Sequence, residues 1–215
     1  MNTTFIVVII LLISFSIAIP WMARSIIWNK AMKALKNNDI AKAKEIFTGR
    51  PFLFIFGKFN SEWNCLRLGL SQGDKKEIEF RTKLILEGEF STKQKVTAAR
   101  AAYFYYLDRE DQEMCKELLT IIRMSHDRKE VLQSEMLYRV LIEKKSEDID
   151  SVKSQLEELF GKKEQDPAQI GLLQYLLGLQ YMYAKQEELG KTYLKKAKTH
   201  LKKTPYEKKI KKIIG

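Results

Sequence analysis

The side chains that most often carry catalysis are sparse in this chain and do not cluster. The two histidines, His126 and His200, are far apart, and neither has a second histidine or cysteine at metal-ligand spacing. The two cysteines, Cys65 and Cys115, belong to no C-x-x-C motif. Glycine-rich phosphate-binding motifs and the G-x-S-x-G nucleophile motif are absent from the sequence. The sequence therefore predicts a protein that is not an enzyme and uses no metal ion or cofactor.

Helices must position whatever this chain binds, because its composition favours little else. Lys, Glu, Leu, Ala and Gln are abundant after residue 23, and only four prolines and ten glycines interrupt the chain. Apolar residues recur at helical spacing and break at polar turns. These turns lie at 37–39, 72–74, 109–111, 144–148 and 185–187, roughly 35 to 39 residues apart. The predicted fold class is all-α, with about five antiparallel helix pairs stacked as an α-solenoid.

The first two of these units align with each other without a gap. A shift of 35 residues aligns Trp28 with Trp63, Asn29 with Asn64, and Asp39 with Asp74. The last unit combines small, aromatic and leucine residues in two neighbouring helices, namely Leu177, Gly178 and Tyr181, then Gly190, Leu194 and Ala197. This pattern resembles the tetratricopeptide repeat, in which small residues let the two helices of a pair approach closely. The resemblance extends over residues 24–203 by period and is specific only at the two ends.

The tetratricopeptide resemblance implies a concave groove that binds an extended peptide or a helix of a partner protein. The family alignment puts eight residues at or near groove-facing positions: Trp28, Asn29, Trp63, Asn64, Arg67, Arg100, Tyr138 and Tyr175. Asparagine would hydrogen-bond a peptide backbone, and arginine would hold a carboxylate through two hydrogen bonds. The carboxylate specificity of the chaperone-binding members is not carried over, because Trp28 stands where their first clamp lysine would be. The alternative is that Trp28 marks a membrane interface and Trp63 is packing.

Two segments are rich in aromatic residues, 50–59 and 103–106, and packing within the fold is an alternative to a binding role for each of them. Residues 50–59 alternate aromatic and other residues and are interpreted as an apolar link between the first two repeats. This link either fills the gap between the repeats or lies against a membrane or a partner. Of the four aromatic residues at 103–106, at least two are predicted to be core.

The first segment of the chain has the length and composition of a membrane anchor. Residues 5–23 carry no charge, and a helix of this length spans roughly 28 Å, close to the thickness of bilayer hydrocarbon. Residues 1–23 are therefore predicted to be an uncleaved transmembrane signal-anchor. Lysine and arginine occur only from Arg24 onward, which predicts an outside N-terminus and a cytoplasmic repeat domain in a single-pass cell-membrane protein. Trp21, Arg24 and Trp28 are predicted to lie at the membrane interface.

The net charge of +11 does not by itself indicate nucleic acid. The lysines are interspersed with Glu and Asp along helices, which is typical of a solvated helix face. Residues 204–215 form a basic, amphipathic tail that is predicted to cap the repeats or to contact anionic lipid.

These observations predict a membrane-tethered scaffold for protein–protein interaction. The expected partners are another protein, itself membrane-associated, and the lipid bilayer through residues 5–23. Two alternatives stay open: a basic helical-repeat protein that binds nucleic acid, and an exported repeat protein with a cleaved signal peptide. The identity of the partner, the oligomeric state and the pairing of the cysteines are left open by the sequence.

Overall fold

The structure, a computed structural model, describes the backbone of residues 3–164 and 166–215, and the side chains of these residues from Ile19 onward. Within these ranges the chain forms eleven α-helices and no strand. Their bounds are α1 Thr3–Lys36, α2 Ile40–Thr48, α3 Arg50–Gln72, α4 Lys75–Glu87, α5 Thr92–Asp108, α6 Gln112–Ile122, α7 Arg128–Leu141, α8 Ile149–Phe160, α9 Pro167–Tyr183, α10 Glu187–His200 and α11 Pro205–Ile214. The all-helical prediction is confirmed for the residues described.

One short turn recurs between neighbouring helices. The backbone has a positive φ of 54° to 65° at Asn38, Gly73, Glu110 and Lys185, the left-handed conformation that commonly ends a helix. In each case the next N–H donates to the carbonyl oxygen five residues back, at 2.9 to 3.1 Å. At three turns that next residue is an aspartate whose carboxylate accepts an N–H from the following helix, namely Asp39, Asp74 and Asp111. The turn ends one helix and starts the next, so consecutive helices lie side by side.

Close contacts divide the chain into two units, Met1–Tyr105 and Tyr106–Gly215, with the boundary inside α5. In the first unit, α2 packs on α1 and α3, and α4 packs on α3. In the second unit, α9 packs on both α8 and α10, and α11 packs on α10. These neighbouring helix pairs are compatible with a helical repeat. The predicted domain bounds, 24–203 and 204–215, stay predictions.

The prediction of a transmembrane helix is wrong. In the part of the chain that the structure describes, no helix has both the length and the apolar character needed to cross a membrane. This finding also contradicts the predicted single-pass location with a cytoplasmic repeat domain. From residue 19 onward α1 is two-sided: it carries charged residues on exposed positions and buries Ala31 and Ala34 in the core of the first unit. The side chains of residues 5–18, within the predicted span of 5–23, lie outside the described residues.

The aromatic run in α5 is divided between core and surface. Tyr103 and Tyr106 are each only 1% exposed, whereas Phe104 is exposed. Residues three apart share one face of a helix, which explains why Tyr103 and Tyr106 are buried together. The prediction that at least two of these aromatic residues are core is confirmed.

A close contact between small residues holds the last helix pair together. A Cβ atom at Gly178 would lie 2.6 Å from Leu194 Cγ, and one at Gly190 would lie 2.6 Å from Met182 Sδ. Leu194 and Ala197 are fully buried where α9 meets α10. The predicted role of both glycines in close helix approach is confirmed.

Substitution of Gly178 by Ala is expected to lower the free energy of unfolding by roughly 1–2 kcal/mol. The added methyl group overlaps the buried Leu194 side chain, and this strain exceeds the gain in helix propensity. The measurement is urea denaturation of the full-length chain followed by circular dichroism. Gly161→Ala is the control, because the nearest atom to its added Cβ is 3.6 Å away. Equal stability of the two variants would contradict the close-contact explanation.

Candidate functional site

The first unit contains a cleft between α1 and α3 with a volume of about 510 Å³. Every described residue that lines the cleft belongs to one of these two helices: Trp21, Arg24, Ser25, Trp28, Phe52, Phe56, Asn60, Trp63, Asn64 and Arg67. The chain has three tryptophans, and all three line this cleft. Tryptophan and arginine are the residue types most enriched where proteins bind one another.

A break at Gly57 gives the α3 side of the cleft its form. The residue has φ 82° and ψ 165°, a combination that is essentially restricted to glycine. Helical backbone precedes and follows this single residue, so Phe52 and Phe56 come before the break and Trp63 after it. The predicted apolar link at 50–59 is thus helical with one interruption.

Stacked aromatic rings form the base of the cleft. Phe52 is fully buried and stacks on Phe56, with ring centroids 4.4 Å apart. Phe47 packs edge-on against Phe52 at 5.2 Å, and Trp28 lies 6.0 Å from Phe56 on the other side. Contacts of this kind stabilise ring orientation beyond the burial of apolar area. Core residues therefore support the aromatic base of the cleft.

Two guanidinium groups lie at the cleft, each over an aromatic ring. Arg24 Cζ is 4.9 Å from the centroid of Phe56, and Arg67 Cζ is 6.0 Å from the centroid of Trp63. This cation–π geometry orients each guanidinium while its N–H groups stay available to solvent or ligand. The described residues of the lining include no Asp or Glu, so the cleft carries positive charge.

Two asparagines, four residues apart on α3, line the cleft. Asn60 Nδ2 donates to the carbonyl oxygen of Phe56 at 2.6 Å, and Asn64 Nδ2 donates to the carbonyl oxygen of Asn60 at 2.7 Å. These bonds to the preceding turn fix both amides. The amide oxygens are the acceptors that each side chain then presents.

Four of the eight predicted groove residues meet in this cleft, namely Trp28, Trp63, Asn64 and Arg67. Trp21 and Arg24 also line it, although they were predicted with Trp28 to lie at a membrane interface. That role depended on the membrane-spanning segment, which the structure contradicts.

The other four predicted groove residues lie elsewhere. Asn29 Nδ2 donates to Ser25 Oγ at 3.4 Å along α1, and Arg100 is half-buried on α5. Tyr138 and Tyr175 are buried in the second unit. Burial raises the pKa of the Tyr175 hydroxyl, and its ring packs edge-on against Tyr206.

Sequence reasoning missed Phe52, Phe56 and Asn60 as cleft residues. They continue with Asn64 and Arg67 at intervals of three or four, which is the spacing of one helical face. Because aromatic residues alternate at 52–56, this segment was interpreted as an apolar link, and its helical pattern was not recognised.

Buried ion pairs tie α3 to α2 and α4. Arg81 on α4 donates to the carboxylates of Glu62 and Glu77, and Lys44 on α2 donates to Glu77 at 2.7 Å. The Arg81, Glu62 and Glu77 side chains are only 10% to 15% exposed. Burial acts to raise the pKa of the Glu77 carboxyl, but hydrogen bonds from Lys44 and Arg81 outweigh it and hold this pKa below its usual value. The four charges balance one another within the first unit.

Comparisons with protein-family models, with curated proteins and with solved structures find no match for this chain.

Replacement of Arg81 by Met is expected to lower the free energy of unfolding by about 3–5 kcal/mol, because it leaves the Glu62 carboxylate buried without its partner. The readout is chemical denaturation at neutral pH. Lys83→Met removes the same charge from an exposed position of α4 and should change stability by less than about 0.5 kcal/mol.

The same network predicts that the protein is sensitive to acid. The contribution of Glu77 to the free energy of unfolding is present above pH 4.5 and disappears as pH falls through its lowered pKa.

Both cysteine thiols are expected to react slowly while the protein is folded. Burial raises the pKa of Cys65 to about 11 and that of Cys115 to about 12, from a reference value of 9.0. At pH 8, a two-unit increase in pKa alone lowers the reactive thiolate fraction about a hundredfold. The rate of alkylation by iodoacetamide, measured for each cysteine by mass spectrometry, should therefore rise at least that much when urea unfolds the chain. Similar rates in both conditions would show that the thiols are accessible and ionised.

Proposed function

We propose that this chain is a protein–protein interaction scaffold that binds a peptide or helix of a partner protein in the cleft between α1 and α3. The observation that carries the proposal is the presence of all three tryptophans and two arginines around one cleft. A few residues provide most of the free energy of protein association, and tryptophan, tyrosine and arginine are enriched among them.

The tetratricopeptide resemblance supports this site as part of the same proposal. In that family the binding groove is lined by the first helix of each pair. Here α1 and α3 are the first helices of the first two pairs, since the recurring turns follow them at Asn38 and Gly73. One pair of residues aligned by the 35-residue shift, Trp28 and Trp63, lines the cleft, and of the second pair Asn64 lines it and Asn29 does not.

The chemistry of the lining matches a polypeptide ligand. Tryptophan faces cover apolar side chains, and the fixed amides of Asn60 and Asn64 accept hydrogen bonds from a peptide backbone. Arg24 and Arg67 each offer several N–H donors to a carboxylate of the ligand. A cleft of about 510 Å³ holds a few side chains of an extended segment, or one face of a short helix.

Binding without catalysis is part of the proposal. The described lining contains no histidine, cysteine, lysine or carboxylate, so Ser25 has no neighbouring base there that would activate its hydroxyl. A site with cations and aromatic faces, but without a general acid or base, suits recognition.

The proposal predicts that peptides selected by the full-length chain from a random library bind this cleft. Binding is measured with synthetic copies of the selected peptides through the intrinsic tryptophan fluorescence, which reports only on the cleft. Trp63→Ala and Arg67→Ala should each weaken binding about tenfold or more, because they remove central contacts. Arg67 is exposed, so its variant is expected to fold normally.

Phe54→Ala is the matched control, because Phe54 lies on the same helix, is 92% exposed and does not line the cleft. Its affinity should equal that of the wild type. If Phe54→Ala weakens binding as much as Arg67→Ala, or if the selected peptides leave the tryptophan emission unchanged, the cleft is not the binding site.

A further inference from the structure

The positive charge of this chain is concentrated at its C-terminal end. Residues 187–215 contain ten lysines and three glutamates, which gives a net charge of +7 out of +11 for the whole sequence. Arginine is absent after Arg139. The charge therefore comes from compact ammonium groups and not from the planar forks that recognise phosphate with two hydrogen bonds.

The structure collects part of this charge in a second groove, within the second unit. The groove lies where α10 ends and α11 begins and has a volume of about 490 Å³. The described residues that line it are Lys195, Lys198, Thr199, Lys202, Lys203 and Glu207. Four lysines thus face one glutamate around a concave surface.

The single glutamate of this groove is already engaged. Glu207 forms an ion pair with Lys211 at 2.7 Å, and its carboxylate accepts a hydrogen bond from the Lys203 backbone N–H at 2.8 Å. Those contacts lower the pKa of its carboxyl, the Lys211 hydrogen bond most of all. Among the described residues, no carboxylate lies within 4.0 Å of the ammonium groups of Lys195, Lys198 or Lys202. The groove consequently keeps an excess of positive charge.

Helix α11, which begins at this groove, packs against other residues of the second unit. Ile210 of α11 is fully buried, and Tyr206 packs against Tyr175 with ring centroids 5.2 Å apart. Lys209 donates to the Asp108 carboxylate at 2.7 Å, at the last residue of α5. The predicted capping role of the tail stays a prediction, but these contacts pack the tail against Asp108 and Tyr175. They hold one wall of the basic groove in place.

We propose that this groove docks an acidic helical segment of a partner protein. Lys195 and Lys198 lie three residues apart on α10, which is about one helical turn of 5.4 Å, and Lys202 follows four residues later, just beyond the helix. Glutamates at the same intervals on a partner helix repeat at the same distance, so the two rows of charge match in register. No aromatic side chain is among the described lining residues, so the groove lacks the platform on which nucleic-acid bases stack.

The probe is a synthetic alanine-based helix about 20 residues long, with glutamates at intervals of three and four, and a copy with glutamine in place of every glutamate. Binding to the full-length chain is measured at about 50 mM salt. The glutamate helix should bind, the glutamine helix should not, and higher salt should weaken binding. Lys195→Gln/Lys198→Gln/Lys202→Gln should lower the affinity about tenfold.

The matched control is Lys93→Gln/Lys116→Gln/Lys129→Gln, which also lowers the net charge from +11 to +8 but changes exposed lysines outside the groove. It should bind the glutamate helix as the wild type does. An equal loss in both triple variants would show attraction to overall charge and overturn the proposal. So would tighter, groove-dependent binding of a single-stranded oligonucleotide of about 20 nucleotides, which would assign the surface to nucleic acid.

Discussion

The short turn that joins neighbouring helices is the constraint on which the packing of both units depends. A left-handed residue ends one helix, its successor bonds back to the last turn, and an aspartate often caps the next helix. Because only two or three residues lie between the helices at these turns, the two helices of a pair have no room to separate. Their apolar faces must therefore meet, and residues such as Ala31, Gly178 and Gly190 let them meet closely.

The cleft of the first unit follows from this packing and from one local exception to it. Gly57 interrupts α3 with a backbone conformation that a side chain would strain, and Phe52 and Phe56 before it line the cleft. The same unit holds four mutually paired charges among α2, α3 and α4. A core that includes such pairs is sensitive to the loss of any one partner. Ring stacking between Phe52 and Phe56 thus stabilises the base of the cleft, and ion pairs stabilise the packing of α3 against α2 and α4.

Sequence reasoning found part of this site. The 35-residue shift identified Trp28 and Trp63, and the structure brings both to one cleft. Arg24 and Phe56 were not identified as cleft residues. Arg24 was assigned to a membrane interface, and Phe56 was assigned to an apolar link. Tyr138 and Tyr175 were placed at the groove by alignment alone, yet neighbouring helices cover them. Glu62 and Arg81 resembled an ordinary solvated helix face, since periodicity does not distinguish a charge in water from a charge paired in a core.

The sequence by itself determined most of the helices outside residues 50–59, the polar turns within the helix pairs and the close contact at Gly178. These features depend on chemistry within a few residues or on helical spacing: left-handed residues, capping aspartates and the recurrence of small and apolar side chains. Only the tertiary structure decided which residues line the cleft and which charges are buried. It also decided that α1 buries Ala31 and Ala34 in the core of the first unit. Burial depends on the neighbours that a helix acquires from distant parts of the chain, and those neighbours are absent from any local pattern.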